Sequence, residues 1–146
     1  MRILIADDDP VFLALLEDLV TGWSHEPTLA RDGEEAWRIF TGPEPPKLVL
    51  LDWIMPGING FDLCRRIRQE EPEQDGTYII LITGSSAEKD IMKVVVAGAD
   101  DYLLKPFEPS ALAVSLRTGV RMLDLRAEIA RLKRPRSAEF GLVLDT

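Results

Sequence analysis

The sequence predicts a doubly wound α/β fold: one parallel sheet with helices on both faces. Three observations predict it. Five short apolar runs, RILIA (2–6), PTLA (27–30), KLVLL (47–51), YIILIT (78–83) and DYLLK (101–105), alternate with five segments of helical periodicity. The first, third and fourth runs are apolar toward both faces, as expected of parallel strands covered on either side. The connections are short, and right-handed crossovers then join five strand–helix units into one sheet.

Each helix has a local reason. Asp9 stands as N-cap before Pro10, and Phe12, Leu15, Leu16, Leu19 and Val20 give the following segment an apolar stripe as far as Gly22. A second helix over 33–41 carries Ala36, Trp37 and Phe40. A third over 60–69 carries Phe61, Leu63, Cys64 and Ile67. Ser85-Ser86-Ala87-Glu88 has the spacing of a capping box ahead of a helix that stops at Gly98. The last helix runs from about Pro109 into the 130s. PEPP (43–46) and the polar EEPEQDG (70–76) read as loops, and the chain shows no internal repeat.

At 146 residues, 46% hydrophobic and 29% charged, the chain suits one domain with a sizeable core. No apolar run approaches the roughly 18 residues of a membrane span, and MRILIADDD does not read as a signal peptide. The single cysteine, Cys64, reads as a small core residue and fits a reducing cytoplasm. The single histidine, His25, reads as a solvated surface residue. The net charge of −8 is uneven: residues 1–109 hold 21 acidic and 10 basic side chains, residues 110–136 hold 2 and 7. An acidic body argues against broad nucleic-acid binding and leaves the late basic helix as a contact surface.

Asp52, in VLLDWIMPGING, ends a run that is otherwise fit for burial. A carboxylate there is costly to desolvate unless a charge meets it. In doubly wound sheets, ligands bind at the carboxyl ends of the strands near the switch in strand order. With the order 2-1-3-4-5, Asp7-Asp8-Asp9, Asp52, Thr83 and Lys105 converge on one edge. Carboxylates so close cannot all ionise without a cation, and oxygen ligands point to a hard divalent ion, Mg²⁺ first. A carboxylate, a magnesium ion, a lysine and a hydroxyl meet the needs of phosphoryl transfer. Of the triplet, Asp9 is the cap, leaving two acids for metal; Thr83 is assigned to phosphate and Ser85 to capping.

Over about residues 1–125 the chain resembles the receiver domain of two-component response regulators. The matching pieces are Asp7-Asp8 after the first strand, Asp52 in LLDWIMPGINGFD, Thr83 in ILITGSS and Lys105-Pro106-Phe107 in GADDYLLKPF. The resemblance implies a flavodoxin-like (α/β)5 fold in which Asp52 accepts a phosphoryl group from a histidine kinase or phosphotransfer protein. It implies Mg²⁺ on Asp8, Asp52 and the backbone carbonyl of Ile54, with Asp7 acting through water. Thr83 and Lys105 would hold phosphoryl oxygens. Tyr102 matches the switch aromatic, and Lys105-Pro106 is commonly cis in this family. Such a chain is a switch that catalyses its own modification and is not a turnover enzyme. It signals through its fourth-helix, fifth-strand and fifth-helix face to an output domain or partner.

Beyond Leu123 such a helix should be near its end, yet Met122, Leu125, Ile129 and Leu132 continue at spacings of an a/d seam. Residues 126–136 are therefore expected to be a helical extension or linker, with a homodimer through the last helix and a C-terminal output domain beyond this chain among the expectations. SAEFGLVLDT (137–146) has no interpretable pattern: a natural tail, the start of a further domain and an unrelated addition all stay open. A dehalogenase-type phosphohydrolase would need an acid two residues after its nucleophile, where Ile54 stands. A nucleotide- or flavin-binding module would need a glycine-rich loop where Asp7-Asp8-Asp9 would repel phosphate. A non-phosphorylated adaptor would not require every site position, and all are present.

Overall fold

The structure, a computed structural model, describes residues 1–71 and 76–133. The strands are β1 (Arg2–Ala6), β2 (Glu26–Ala30), β3 (Leu48–Asp52), β4 (Tyr78–Thr83) and β5 (Asp101–Leu104). The helices are α1 (Pro10–Gly22), α2 (Gly33–Phe40), α3 (Gly60–Glu70), α4 (Glu88–Ala97) and α5 (Pro109–Lys133). All pairings are parallel and the order is β2-β1-β3-β4-β5. The switch in order lies between β1 and β3, which start their crossovers in opposite directions.

The two-sided apolar strands build two cores. Leu4, Ala6, Val49, Leu51, Ile79 and Leu81 face α2, α3 and α4, where Ala36, Leu63, Cys64, Ile67, Val94 and Ala97 complete one cluster. Their neighbours Ile3, Ile5, Leu48, Leu50, Ile80 and Ile82 face α1 and α5 and pack on Leu13, Leu16, Val20, Leu112 and Leu116. The two-residue alternation of a strand thus sends successive side chains to opposite cores. β3 and β4 are buried throughout, whereas the edge strands β2 and β5 are only partly so.

The caps follow the expected chemistry in three cases. Asp9 accepts from the backbone N–H of Val11 and Phe12, Asp32 from Glu35 and Asn59 from Asp62. At α4 the expected capping box does not form. The helix starts at Glu88 with Ala87 as its cap residue, so Ser85 sits two positions too early to cap. Ser85 instead accepts from the Ala87 N–H at 3.2 Å and donates to Asp90 at 2.6 Å. His25 is also not simply solvated. It is half-buried, its Nδ1 is enclosed without a hydrogen-bond partner, and burial lowers its pKa. The middle of the EEPEQDG loop and the whole of residues 134–146 lie outside the described residues. Within them α5 runs on to Lys133, well past Leu123. Among the described residues no helix is long and apolar enough to cross a membrane.

Candidate functional site at the carboxyl edge of the sheet

The ends of β1, β3, β4 and β5 meet above the sheet. Asp7 follows β1 and is held by the Ala30 carbonyl through its own N–H, while its Oδ1 accepts from the Asp9 N–H at 2.9 Å. Asp52 is the last residue of β3, where register with Ile82 fixes its height beside Thr83. Lys105 leaves β5 with its N–H on the Thr83 carbonyl at 2.8 Å, just before a cis bond to Pro106. These backbone ties, rather than side-chain choice, set where each functional group stands.

Asp7 and Asp52 are buried, at 1% and 7% exposure, while Asp8 faces solvent. Carboxylate oxygens of Asp7, Asp8 and Asp52 lie within 4.8 Å of one another. The Lys105 ammonium sits 3.2 Å from Asp52 Oδ1 and 3.4 Å from Asp7 Oδ2. Even so, burial and the nearby Asp7 charge push the Asp52 pKa up to about 6, and burial raises that of Asp7. Burial disfavours charge on Lys105, but Asp52 and Asp7 outweigh it and hold its pKa above the ordinary lysine value. One lysine does not balance three acids. An oxygen-only cluster with unrelieved repulsion fits a hard divalent cation, with Asp7, Asp8 and Asp52 as the residues to hold it.

The remaining expected residues sit as follows. Thr83 is buried at the strand end, its Oγ1 accepting from the Ser85 N–H at 3.1 Å. Ile54 lies in the loop after β3 with its side chain 78% exposed. Tyr102, on β5, is half-buried against the core cluster of α2–α4. Trp53 stacks on Phe61, centroids 5.9 Å apart, and Arg65 lies over the other ring of that pair.

Two participants escape sequence reasoning. Phe12, which periodicity marks only as a helix-face residue, places its ring centroid 4.1 Å from the Lys105 ammonium and packs edge-on to Phe107. Gly60 lies so close to the Asp52 backbone that an added Cβ would stand 2.3 Å from the Asp52 carbonyl oxygen. Phe12 stands outside every matching piece, and Gly60, inside LLDWIMPGINGFD, offers no side chain to read; only the fold shows what they touch.

With this geometry in place, comparison with known proteins decides the family. The response regulator receiver domain model matches residues 3–117. The chain belongs to the response regulator receiver family. It is 35% identical over 120 residues to the DNA-binding response regulator MtrA of Mycolicibacterium smegmatis, covering 82% of this chain and 50% of that one. This receiver thus spans half the length of MtrA. It is 32% identical over 117 residues to a chemotaxis protein CheY homolog of Campylobacter jejuni, covering 80% of this chain and 89% of that one. Among solved structures, the receiver domain of an HD domain-containing protein from Pseudomonas fluorescens superposes with a TM-score of 0.75 at 30% identity, covering 84% and 96% of the two chains. A CheY-like receiver domain protein from Methanospirillum hungatei gives 0.74 at 26%, covering 87% and 96%.

Proposed function

We propose that this receiver is a phosphorylation-dependent switch in which Asp52 accepts a phosphoryl group from the phosphohistidine of a sensor kinase or phosphotransfer protein. One observation carries the reading: three carboxylates, a lysine and a threonine from four strand ends converge at one edge of the sheet, with Asp52 inside the reach of Lys105. A carboxylate oxygen of Asp52 forms the new bond to phosphorus, the phosphorus–nitrogen bond breaks, and the histidine nitrogen leaves with its electron pair. Lys105 and the Thr83 hydroxyl meet the transferred oxygens. Asp7, Asp8 and Asp52, with the Ile54 carbonyl, would hold Mg²⁺, which supplies charge neutralisation on those oxygens.

The reading extends to output. Movement of Thr83 toward the acyl phosphate opens room for half-buried Tyr102 to turn inward, altering the face made by α4, β5 and α5. The chain catalyses its own phosphorylation and dephosphorylation and turns over no other substrate. Its partners are a histidine kinase or phosphotransfer protein and an output domain or protein; a bacterial cytoplasmic setting suits these and the reduced Cys64.

Intact-mass spectrometry after incubation with acetyl phosphate tests the reading. One added phosphoryl group is expected, and it requires both Mg²⁺ and Asp52. Addition to the Asp52→Asn chain, or addition unaffected by chelation of the metal, would overturn it.

A further inference from the structure

From Val114 to Leu132, α5 carries a largely apolar stripe that the body of the protein does not cover. Val114, Met122, Leu125, Ile129 and Leu132 are all exposed, Leu125 by 58% and Leu132 by 53%. With exposed Thr118 between the first two, the successive spacings are four, four, three, four and three residues. That repeat follows one face of the helix over about 27 Å. Leu112, Leu116 and Leu123 lie on a different face, packed against the core on the α1 side of the sheet. The stripe is therefore not the buried side of an amphipathic helix. It is a second apolar face.

We propose that this stripe is the interface of a parallel, in-register homodimer of the receiver. In a parallel pair each residue beside the seam meets the partner's residue five positions on. With Met122 and Ile129 as a positions and Leu125 and Leu132 as d positions, Glu128 then faces Lys133 of the second copy, and Lys133 faces its Glu128. Both pairs are attractive. The Glu128 carboxylate already takes Arg131 of its own helix, and its remaining lone pairs stay available.

The same rule sets Arg121 against the second copy's Arg126, which would oppose the pairing. The structure removes that conflict. Arg126 is drawn back onto its own body: its guanidinium donates to the Gly76 carbonyl at 2.9 Å and to Asp100 at 3.2 Å. Asp100 is itself fixed by Arg68 at 2.6 Å and by the Ile79 N–H at 2.8 Å. The positive charge that sequence spacing puts beside the seam is neutralised by the loop between α4 and β5. The seam is short, so the dimer is weak and concentration-dependent.

The test is sedimentation of the full chain from about 5 µM to about 500 µM, without phosphodonor, so that it is independent of the switch chemistry. A monomer–dimer equilibrium is expected. Leu125→Glu abolishes it; the position is exposed, and unchanged circular dichroism shows that the fold survives. Glu128→Lys and Lys133→Glu each raise the dimer Kd roughly three- to tenfold, since each turns two attractions into two repulsions, and the double exchange restores it. Asp100→Asn releases Arg126 and also weakens the dimer, and adding Arg126→Gln to it restores association. Leu132→Cys forms a disulfide-linked dimer under mild oxidation, because parallel, in-register helices bring the two positions together and Cys64 is buried. A monomer throughout the range, or a dimer indifferent to Leu125→Glu, overturns the proposal. Failure of the Glu128/Lys133 exchange to restore pairing overturns its parallel register, and indifference to Asp100→Asn overturns the role of Arg126.

Discussion

Lys105 places its ammonium 3.2 Å from one oxygen of Asp52, near enough to bond it and without displacing it from the mouth of the sheet. The lysine is shared with Asp7 at 3.4 Å, so neither acid captures it completely. Such a charge can follow a negative group that arrives on Asp52. Lys105→Ala should therefore leave the fold intact and slow acetyl-phosphate labelling of Asp52 at least tenfold, loss of one preorganised donor commonly costing about 10²–10³. Labelling at the native rate would mean that Lys105 is a structural ion-pair partner only.

Phe12 holds that ammonium from the other side, with its ring face 4.1 Å away. A cation over an aromatic face gains about 0.5–2 kcal/mol. Phe12→Leu keeps the apolar bulk but removes the face, and should lower the labelling rate roughly two- to fivefold with little change in Tm. Phe12→Trp should retain the native rate. If leucine and tryptophan behave alike, the ring acts by packing alone.

The pKa of Asp52, raised from 3.8 to about 6, makes a stability prediction whose sign differs from that of an ordinary salt-bridged acid. The folded state holds the proton more tightly than the unfolded state. Ionised Asp52 therefore destabilises the fold above pH 6, and the penalty disappears as pH falls through about 6 toward 4. A shift of this size corresponds to roughly 2–3 kcal/mol. Asp52→Asn should raise Tm at pH 7.5 in the absence of divalent ions, and the gain should shrink at pH 4.5 or when Mg²⁺ is added. A variant no more stable than the native chain at pH 7.5 would show that Lys105 already compensates the charge.

The two-sided strands and the family's site positions were legible because they depend on periodicity and on residues at strand ends. RILIA, KLVLL and YIILIT needed no long-range information to be read as central strands, and Asp52 stood out against its apolar run. The site's supports were not legible. Phe12 looks like any helix-face aromatic, and Gly60 like any residue after an asparagine cap. The Arg68–Asp100–Arg126 chain joins residues 32 and 26 positions apart through side-chain geometry. Ser85 misled for a related reason: capping-box spacing presumes a helix start right after Ser85, and the helix begins only at Glu88.

Gly60 makes a steric prediction. Its N–H donates to the Trp53 carbonyl at 2.8 Å, and a Cβ there would meet the Asp52 carbonyl oxygen at 2.3 Å and Trp53 Cα at 3.0 Å. Backbone atoms of a buried strand cannot swing aside as a flexible side chain can. Gly60→Ala should lose about 1–3 kcal/mol in urea unfolding and slow labelling of Asp52, because relief of the clash moves the nucleophile. Gly22→Ala, with nothing within 4 Å of the added carbon, is the control and should be neutral or slightly stabilising. Equal stability of the two variants would mean that the β3–α3 loop yields without strain.

Ile54, two residues after Asp52, bears on how long a phosphoryl group persists. Its side chain is 78% exposed in the loop directly after Asp52. An apolar group can neither accept a proton from a water nor orient it, so in the proposed switch this position is expected to give hydrolysis no side-chain assistance. Ser85, two residues after Thr83, donates to Asp90 at 2.6 Å and so has its proton committed elsewhere. The phosphorylated chain, freed of acetyl phosphate by rapid desalting and followed by intact mass, should decay over minutes or longer. Ile54→Asn should shorten that lifetime several-fold, because its amide can hold the incoming water. A native lifetime of seconds, or an asparagine variant that decays no faster, would place control of hydrolysis elsewhere in the site.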